Sequence, residues 1–505
     1  MRKINNLLFS LTVLALSHTV HAAVVPAPLF TNNAVLQRGK PVPVWGTADA
    51  GEKVSVSFAG QSRSTTADVN GQWRVDLAPL PANATPAELV IKGTNTITLS
   101  NILVGEVWLA SGQSNMEYML KNTYDAAIDI PASARYPLIR QIQIAKKVSS
   151  TPLRNATGTW QVAGPETTGE FSAVAYYFAL DIHNLINVPI GIIHSSWGGT
   201  RIEAWVSPDA LKSNPVFSTV FEGWEKALAA YPEAKIKHEA AMTAWKAEQA
   251  AAKAAKQPFG RRAPSPPWNT GHNATPSGLN NGMIAPLAPY ALRGALWYQG
   301  EANANNAADY HALFAALITG WRAQFAQGDF PFYWAQLTNY KNNAPDNTQW
   351  AALREAQNRT LALPATGQAV ILDIGDYNDI HPRNKKDVGR RLARIALAKT
   401  YEKPIVASGP IFAAAEPVDT GFRVRFTEVA GGLRAPLNSL SGFELAGADK
   451  VFKPAIAKIE GETVIVSAKE INAPVAVRYA WRNAPVAGLF NNEGLPAAPF
   501  RSDTW

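Results

Sequence analysis

Ser114 stands in Gly112-Gln-Ser-Asn115, directly after the apolar run Val104–Ala110 and before a helix-like stretch. A serine that ends a strand and opens a helix is exposed at the rim of a sheet. Its own backbone N–H then points toward developing negative charge. That is a setting for a nucleophile; the plainer reading is a helix cap. His381 lies in the polar loop Asp376–Asn384, after the apolar run Ala369–Ile374. Asp379 precedes it by two residues, and extended backbone sends i and i−2 the same way. Asp379 can therefore orient the imidazole, which would complete a serine–histidine–acid set for acyl transfer. Asp376 and Glu301 are alternative acids, and Glu301 reads equally well as a carboxylate that fixes its own loop. His381 itself has the plainer reading of an ordinary loop histidine. Gly198 and Gly199 follow the run Pro189–His194. Glycine there lets a backbone N–H approach an oxyanion, or simply makes a tight turn. Gln299 ends the run Leu292–Tyr298, and its side-chain NH₂ is a candidate third oxyanion donor. Arg201, Glu203 and Trp205 come next after the diglycine, as pocket walls or as helix-surface and core residues.

These residues need a frame that brings four loops together. Strand-like runs at 104–110, 189–194, 292–298, 330–337 and 369–374 alternate with helical patterns at 172–185, 308–325, 349–363 and 386–400. Such alternation predicts an α/β domain with a parallel sheet and helices on both faces. Sites in such sheets form at the carboxyl ends of the strands, where Ser111–Asn115, Ser195–Thr200, Gln299–Asn303 and Gly375–His381 fall. Residues 207–270 interrupt the pattern as a helical insertion over that rim, with an Ala/Lys/Glu-rich helix at 229–256 and a Pro-rich loop at 260–269. Residues 23–100 carry short β-prone runs at 42–46, 52–58, 72–77 and 88–92. Ala50-Gly51, Asn70-Gly71 and the Pro81–Pro86 segment separate them, which suggests a β-sandwich-like domain. Residues 402–505 return to strand-like runs at 421–426, 463–467 and 475–480, a C-terminal β-rich domain expected to pack against the N-terminal one. The catalytic domain is thus expected over 101–401.

The N-terminus has Arg2 and Lys3, a short apolar run and Val20-His-Ala22, the pattern of a signal peptide over 1–22. The protein is expected to be exported, periplasmic or secreted, without a membrane span. It contains no cysteine, which excludes thiol catalysis and thiolate metal sites and leaves stability to core burial. His194, His238 and His311 have no ligand spacing, so no metal and no cofactor are expected. The formal charge of +8 is spread along the chain, with one denser patch at 246–262. It reads as a solvated surface, with no nucleic-acid footprint. Tryptophan is abundant, at 15 residues, and suits sugar binding as well as core packing.

Gly112-Gln-Ser-Asn115, Trp197-Gly-Gly-Thr200, Trp297-Tyr-Gln-Gly-Glu301 and Ile380-His-Pro382 resemble, in order, the signature blocks of the SGNH-hydrolase superfamily. They most resemble its sialate O-acetylesterase branch, as do Val35-Leu-Gln-Arg38 and Asn281–Pro286. The resemblance covers nearly the whole mature chain. It implies a flavodoxin-like catalytic domain and a serine esterase acting on acetylated carbohydrate: sialic acid, or a plant polysaccharide such as xylan or xyloglucan. It implies Ser114 as nucleophile, His381 as base, and an oxyanion hole of the Ser114 and Gly199 N–H groups with Gln299. Gln113, Asn115 and Trp197, from the same blocks, join Arg201 and Glu203 as candidate pocket residues. Many members of the superfamily place an Asp three residues before the histidine; here that position is Asn378. Met116 replaces the second glycine of G-x-S-x-G, which argues against an α/β-hydrolase lipase. The alternative from another class is a carbohydrate-binding protein with an inert α/β domain.

Overall fold

A computed structural model describes residues 23–342, 347–419, 421–436 and 440–505; the expected signal peptide, 1–22, lies outside the described residues. The central sheet is built on five parallel strands: β1 (Thr96–Gly112), β2 (Ile190–Ser196), β3 (Gly294–Tyr298), β4 (Phe332–Ala335) and β5 (Thr366–Ala369). Their spatial order is β2-β1-β3-β4-β5. Five longer helices accompany them: α1 (Ala173–Ile186), α2 (Ser218–Ala254), α3 (Ala307–Phe325), α4 (Gln349–Arg359) and α5 (Lys385–Lys399). Side chains alternate along each strand, so the apolar runs divide between two layers. Val107, Leu109, Ala295, Trp297, Phe332 and Trp334 pack with α3 and α4. Trp108, Ala110, Leu296, Tyr298, Tyr333 and Ala335 pack with α1 and α5. Both faces of the sheet are therefore covered, which is why its strands read as unbroken apolar runs.

Register sets the working rim. Ser196 and Tyr298 both pair with Gly112, so the three central strands end level. An antiparallel pair, Ile139–Gln143 with Trp160–Val162, extends the sheet beyond β2. The fifth strand stops at Ala369, short of the expected 369–374. Val370 and Leu372 are apolar for another reason: both are buried in the core of the C-terminal β region.

Residues 23–100 form two sheets, one of which includes the first half of β1. β1 thus runs unbroken through the expected boundary at 100/101, and residues 23–100 share an apolar core with the α3 and α4 face. The Pro81–Pro86 segment, expected as a turn, is partly taken into the strand Asn83–Lys92, where register shifts beside Ala87 accommodate Pro86. Fully buried Glu106 on β1 receives both Arg38 and Arg293, the latter at 2.6 Å. The C-terminal region holds two four-stranded sheets. Among the described residues its ion pairs to other regions run to α4 and α5, not to the N-terminal region as expected: Arg501 pairs with Glu355 at 3.0 Å and Arg394 with Glu493 at 2.6 Å.

The 207–270 insertion is dominated by one helix. α2 spans 37 residues and none of them is buried. It begins at Ser218, well before the Ala/Lys/Glu-rich stretch at 229. The chain after it folds back along it: Trp245 Nε1 donates to the Arg261 carbonyl at 2.9 Å, and Trp268 packs against Trp224.

Candidate active site

Gly112 turns the end of β1 with φ +139°, and a Cβ there would lie 2.2 Å from the Tyr298 carbonyl oxygen. Only glycine fits. The Gln113 N–H donates to that same carbonyl at 3.0 Å, and Ser114 opens the one-turn helix Ser114–Glu117. Ser114 Oγ lies 2.8 Å from His381 Nε2. With the ring proton on Nδ1, Nε2 accepts from the hydroxyl. Burial holds the His381 pKa below its ordinary value; the nearby Lys385 and Arg262 charges lower it further, while Asp379 opposes them.

The acid differs from expectation. Asp379 Oδ1 accepts the backbone N–H of His381 at 2.8 Å. Among the described residues no hydrogen bond reaches His381 Nδ1. An aspartate folding back onto the N–H two residues ahead is a favoured local turn, and it competes with the ring for the carboxylate. Asp376 behaves alike, accepting from the N–H groups of Asn378 and Asp379. Glu301 also points elsewhere: its Oε1 accepts from Asn115 Nδ2 at 2.5 Å, and its Oε2 is sealed without a partner.

Gly199 has φ +74° and is exposed. Among the described residues, neither its N–H nor that of Ser114 is engaged, so both are free to receive an oxyanion. Gly198 packs beside Ser114, and its N–H is taken by Glu117 Oε2 at 2.6 Å. Gln299 is a correction. Its Nε2 donates to the Thr200 carbonyl at 3.1 Å and to Asn303 Oδ1 at 2.7 Å, so both amide protons are spent within a buried network. It braces the Gly199–Thr200 loop and offers no third donor. Asn303 is the hub of that network, holding the Ile202 N–H and Glu203 Oε2 as well.

The candidate pocket residues divide. Gln113 and Asn115 are buried and structural: Gln113 accepts from the Gly300 and Ala302 N–H groups, and Asn115 also donates to the Ile380 carbonyl. Trp197 is half-buried beneath Lys146. Exposed Arg201 and buried Glu203 line a cleft under α2, whereas Trp205 is core. Lys385 escaped the sequence reading. Its Nζ donates to Asn115 Oδ1 at 2.7 Å and to the Pro382 carbonyl, and burial pushes its pKa down to about 7. It ties the serine helix to the histidine loop. Among the described residues no group of three or more His, Cys, Asp or Glu side chains could hold a metal.

A hydroxyl bonded to an imidazole, with two unengaged N–H groups beside it, is an arrangement for acyl transfer. The comparisons agree. The family model for carbohydrate esterases, sialic acid-specific acetylesterases, matches residues 276–398. A sialate O-acetylesterase of Rattus norvegicus is 30% identical over 504 residues, covering 90% of each chain. The Homo sapiens sialate O-acetylesterase is 27% identical, covering 76% of this chain and 73% of its own. The crystal structure of a carbohydrate acetylesterase from Xanthomonas citri superposes with TM-score 0.82 and 38% identity, over 95% of this chain and all of that one. The protein is thus a carbohydrate O-acetylesterase. Within that class, it belongs to the sialate O-acetylesterase family.

Proposed function

We propose that this chain removes O-acetyl groups from a glycan through an acetyl-serine intermediate, and that it does so after export. The 2.8 Å contact between Ser114 Oγ and His381 Nε2 carries this reading. His381 takes the hydroxyl proton as Oγ bonds to the acetyl carbon. The oxyanion rests on the Ser114 and Gly199 N–H groups. The carbonyl re-forms, the sugar oxygen leaves, and His381 returns the proton to it. Water then repeats the sequence and acetate departs. Asp379 assists through its charge and by holding the His381 backbone. The strand order β2-β1-β3-β4-β5 supports a flavodoxin-like description of the catalytic domain, residues 101–401, flanked by β regions at 23–100 and 402–505. No cofactor takes part. Export rests on the signal-like N-terminus, and among the described residues no helix is long and apolar enough to cross a membrane.

The substrate is an acetylated sugar, either sialic acid or a plant polysaccharide such as xylan or xyloglucan. Acetate release from a panel of these, beside an aryl acetate, tests the reading, and mass spectrometry of acid-quenched enzyme should find one acetyl group on the Ser114 peptide. A protein that cleaves no acetate ester would be the binding protein of the alternative reading.

A further inference from the structure

The proposed mechanism does not use the arm formed by α2 and the returning segment 257–269. That segment lies along the helix: Phe259 packs on Trp245 at 5.6 Å, and Trp268 on Trp224 at 5.9 Å with a 31° tilt between rings. The second contact faces the catalytic domain. Trp224 and Trp268 line a cleft of about 370 Å³ together with Arg201, Glu203, Asn306 and Asp309. Both indoles are half-buried; the Trp268 ring has the Arg201 guanidinium over it at 5.8 Å and the His272 ring beside it at 6.0 Å, which leaves Trp224 as the less occupied of the two faces. Two of the cleft's lining residues follow the oxyanion loop along the chain. Arg201 is two residues beyond Gly199, and Glu203 is bonded to Asn303, which holds Gln299.

From this geometry we infer that the cleft is a subsite for a neutral sugar ring of the same glycan whose acetyl group reaches Ser114. This rests on the glycan-deacetylase reading above. The chemistry of the lining selects the ligand. Indole faces accept the apolar C–H face of a pyranose. Around them stand a guanidinium donor, two carboxylate acceptors and an amide, which suit a ring of hydroxyls that both donate and accept. One cation against two carboxylates disfavours a phosphate or a carboxylate ligand. The volume falls in the lower part of the range for small-molecule sites, about 300–1,000 Å³. The arm therefore sets a preference for a glycan of at least two sugars over a free acetylated monosaccharide.

The test compares Trp268→Ala, Trp224→Ala and Trp268→Phe with wild type on acetylated xylan and xyloglucan oligosaccharides and on 4-nitrophenyl acetate. Each alanine variant should lower glycan kcat/KM about tenfold more than that of the aryl ester, mostly through KM, as loss of an aromatic anchor does. Trp268→Phe should recover most of it. Equal losses on both substrates, or no loss on the glycan, would overturn the subsite while leaving the deacetylase reading intact. A wild-type enzyme that cleaves the aryl ester but no oligosaccharide would overturn the subsite and leave acetylated sialic acid as the substrate; one that cleaves neither these, nor acetylated sialic acid, nor the aryl ester would sink the deacetylase reading as well.

Discussion

Ser114 and His381 meet across 267 residues of sequence, and the groups around them decide how the pair behaves. Ser114→Ala should cut turnover by about three orders of magnitude or more, since nothing nearby can replace Oγ; a folded variant keeping a tenth of the rate would refute the nucleophile. The pH profile tests the base. His381 must be neutral to accept a proton, and its pKa lies below the ordinary 6.5, chiefly through burial. The acid limb of kcat/KM should therefore have its midpoint under 6.5, with full activity above it. Lys385 and Arg262 lower that pKa and Asp379 raises it. Lys385→Met and Arg262→Ala should then move the limb to higher pH, and Asp379→Asn to lower pH. A limb that Asp379→Asn leaves in place would remove Asp379 from any electrostatic part. Glu301→Gln separates scaffold from acid: it can still accept from Asn115 and should keep most of the rate. Much of this site is legible in the sequence because Ser114, Gly199 and His381 sit beside strand ends that apolar runs mark. What stays hidden is where each polar atom finds its partner. The i, i+2 spacing that lets Asp379 face the imidazole equally lets it bond the N–H of His381. Gln299 is in the right loop, yet its protons go to Thr200 and Asn303.

At the scale of elements, helices were the easier part. α1 and α3 lie within a residue of their expected ends, and the tail of the third pattern, 360–363, becomes a tighter 3₁₀ turn at Thr360–Ala362. The strand Ile139–Gln143 was not legible because its polar members are buried. Arg140 sends its guanidinium to the backbone and side-chain oxygens of Asn101, and Gln141 accepts from the Ser172 N–H. Buried polar groups with partners break the apolar pattern that reveals a strand. Arg354 on α4 is the same phenomenon between regions. Fully buried, it donates to the carbonyls of Leu337 and Thr338 on one side and of Arg482 and Asn483 on the other, at 2.6–2.8 Å. Burial pulls its pKa down to about 9. Arg354→Met would strand the carbonyls of Leu337, Thr338 and Arg482, while that of Asn483 keeps the Tyr340 N–H, and unsatisfied buried groups cost about 1–3 kcal/mol each. The loss should total about 3 kcal/mol or more, with the C-terminal β region melting separately in calorimetry. A single transition at the wild-type temperature would show that the apolar contacts of Val370 and Leu372 suffice without the clamp.

Seen whole, the molecule has a body of shared cores and an arm that touches them only at its root, through Val220 and Phe221. The N-terminal β region cannot open independently of the catalytic sheet, because β1 belongs to both and one core runs beneath them. α2 is the opposite case. Its 37 residues extend about 55 Å with none of them fully buried, so beyond Val220 and Phe221 at its start packing on the core contributes little to holding it. Pro232 inside the helix removes one backbone hydrogen bond. Local opening should therefore occur far below the global unfolding free energy. Lys226, Lys235, Lys237, Lys246 and Lys253 all lie on α2, and Arg261 and Arg262 on the returning segment. Trypsin under native conditions should cut here first, leaving the body folded as two associated fragments. Because Trp224 and Trp268 sit on the two halves of the arm, the nick should raise KM for acetylated oligosaccharides more than for an aryl acetate. Arg262 lowers the His381 pKa, so releasing it should also shift the acid limb to higher pH, and salt should blunt that shift because the arginine is exposed. First cuts in the C-terminal region, with the arm intact, would contradict this ranking of stabilities.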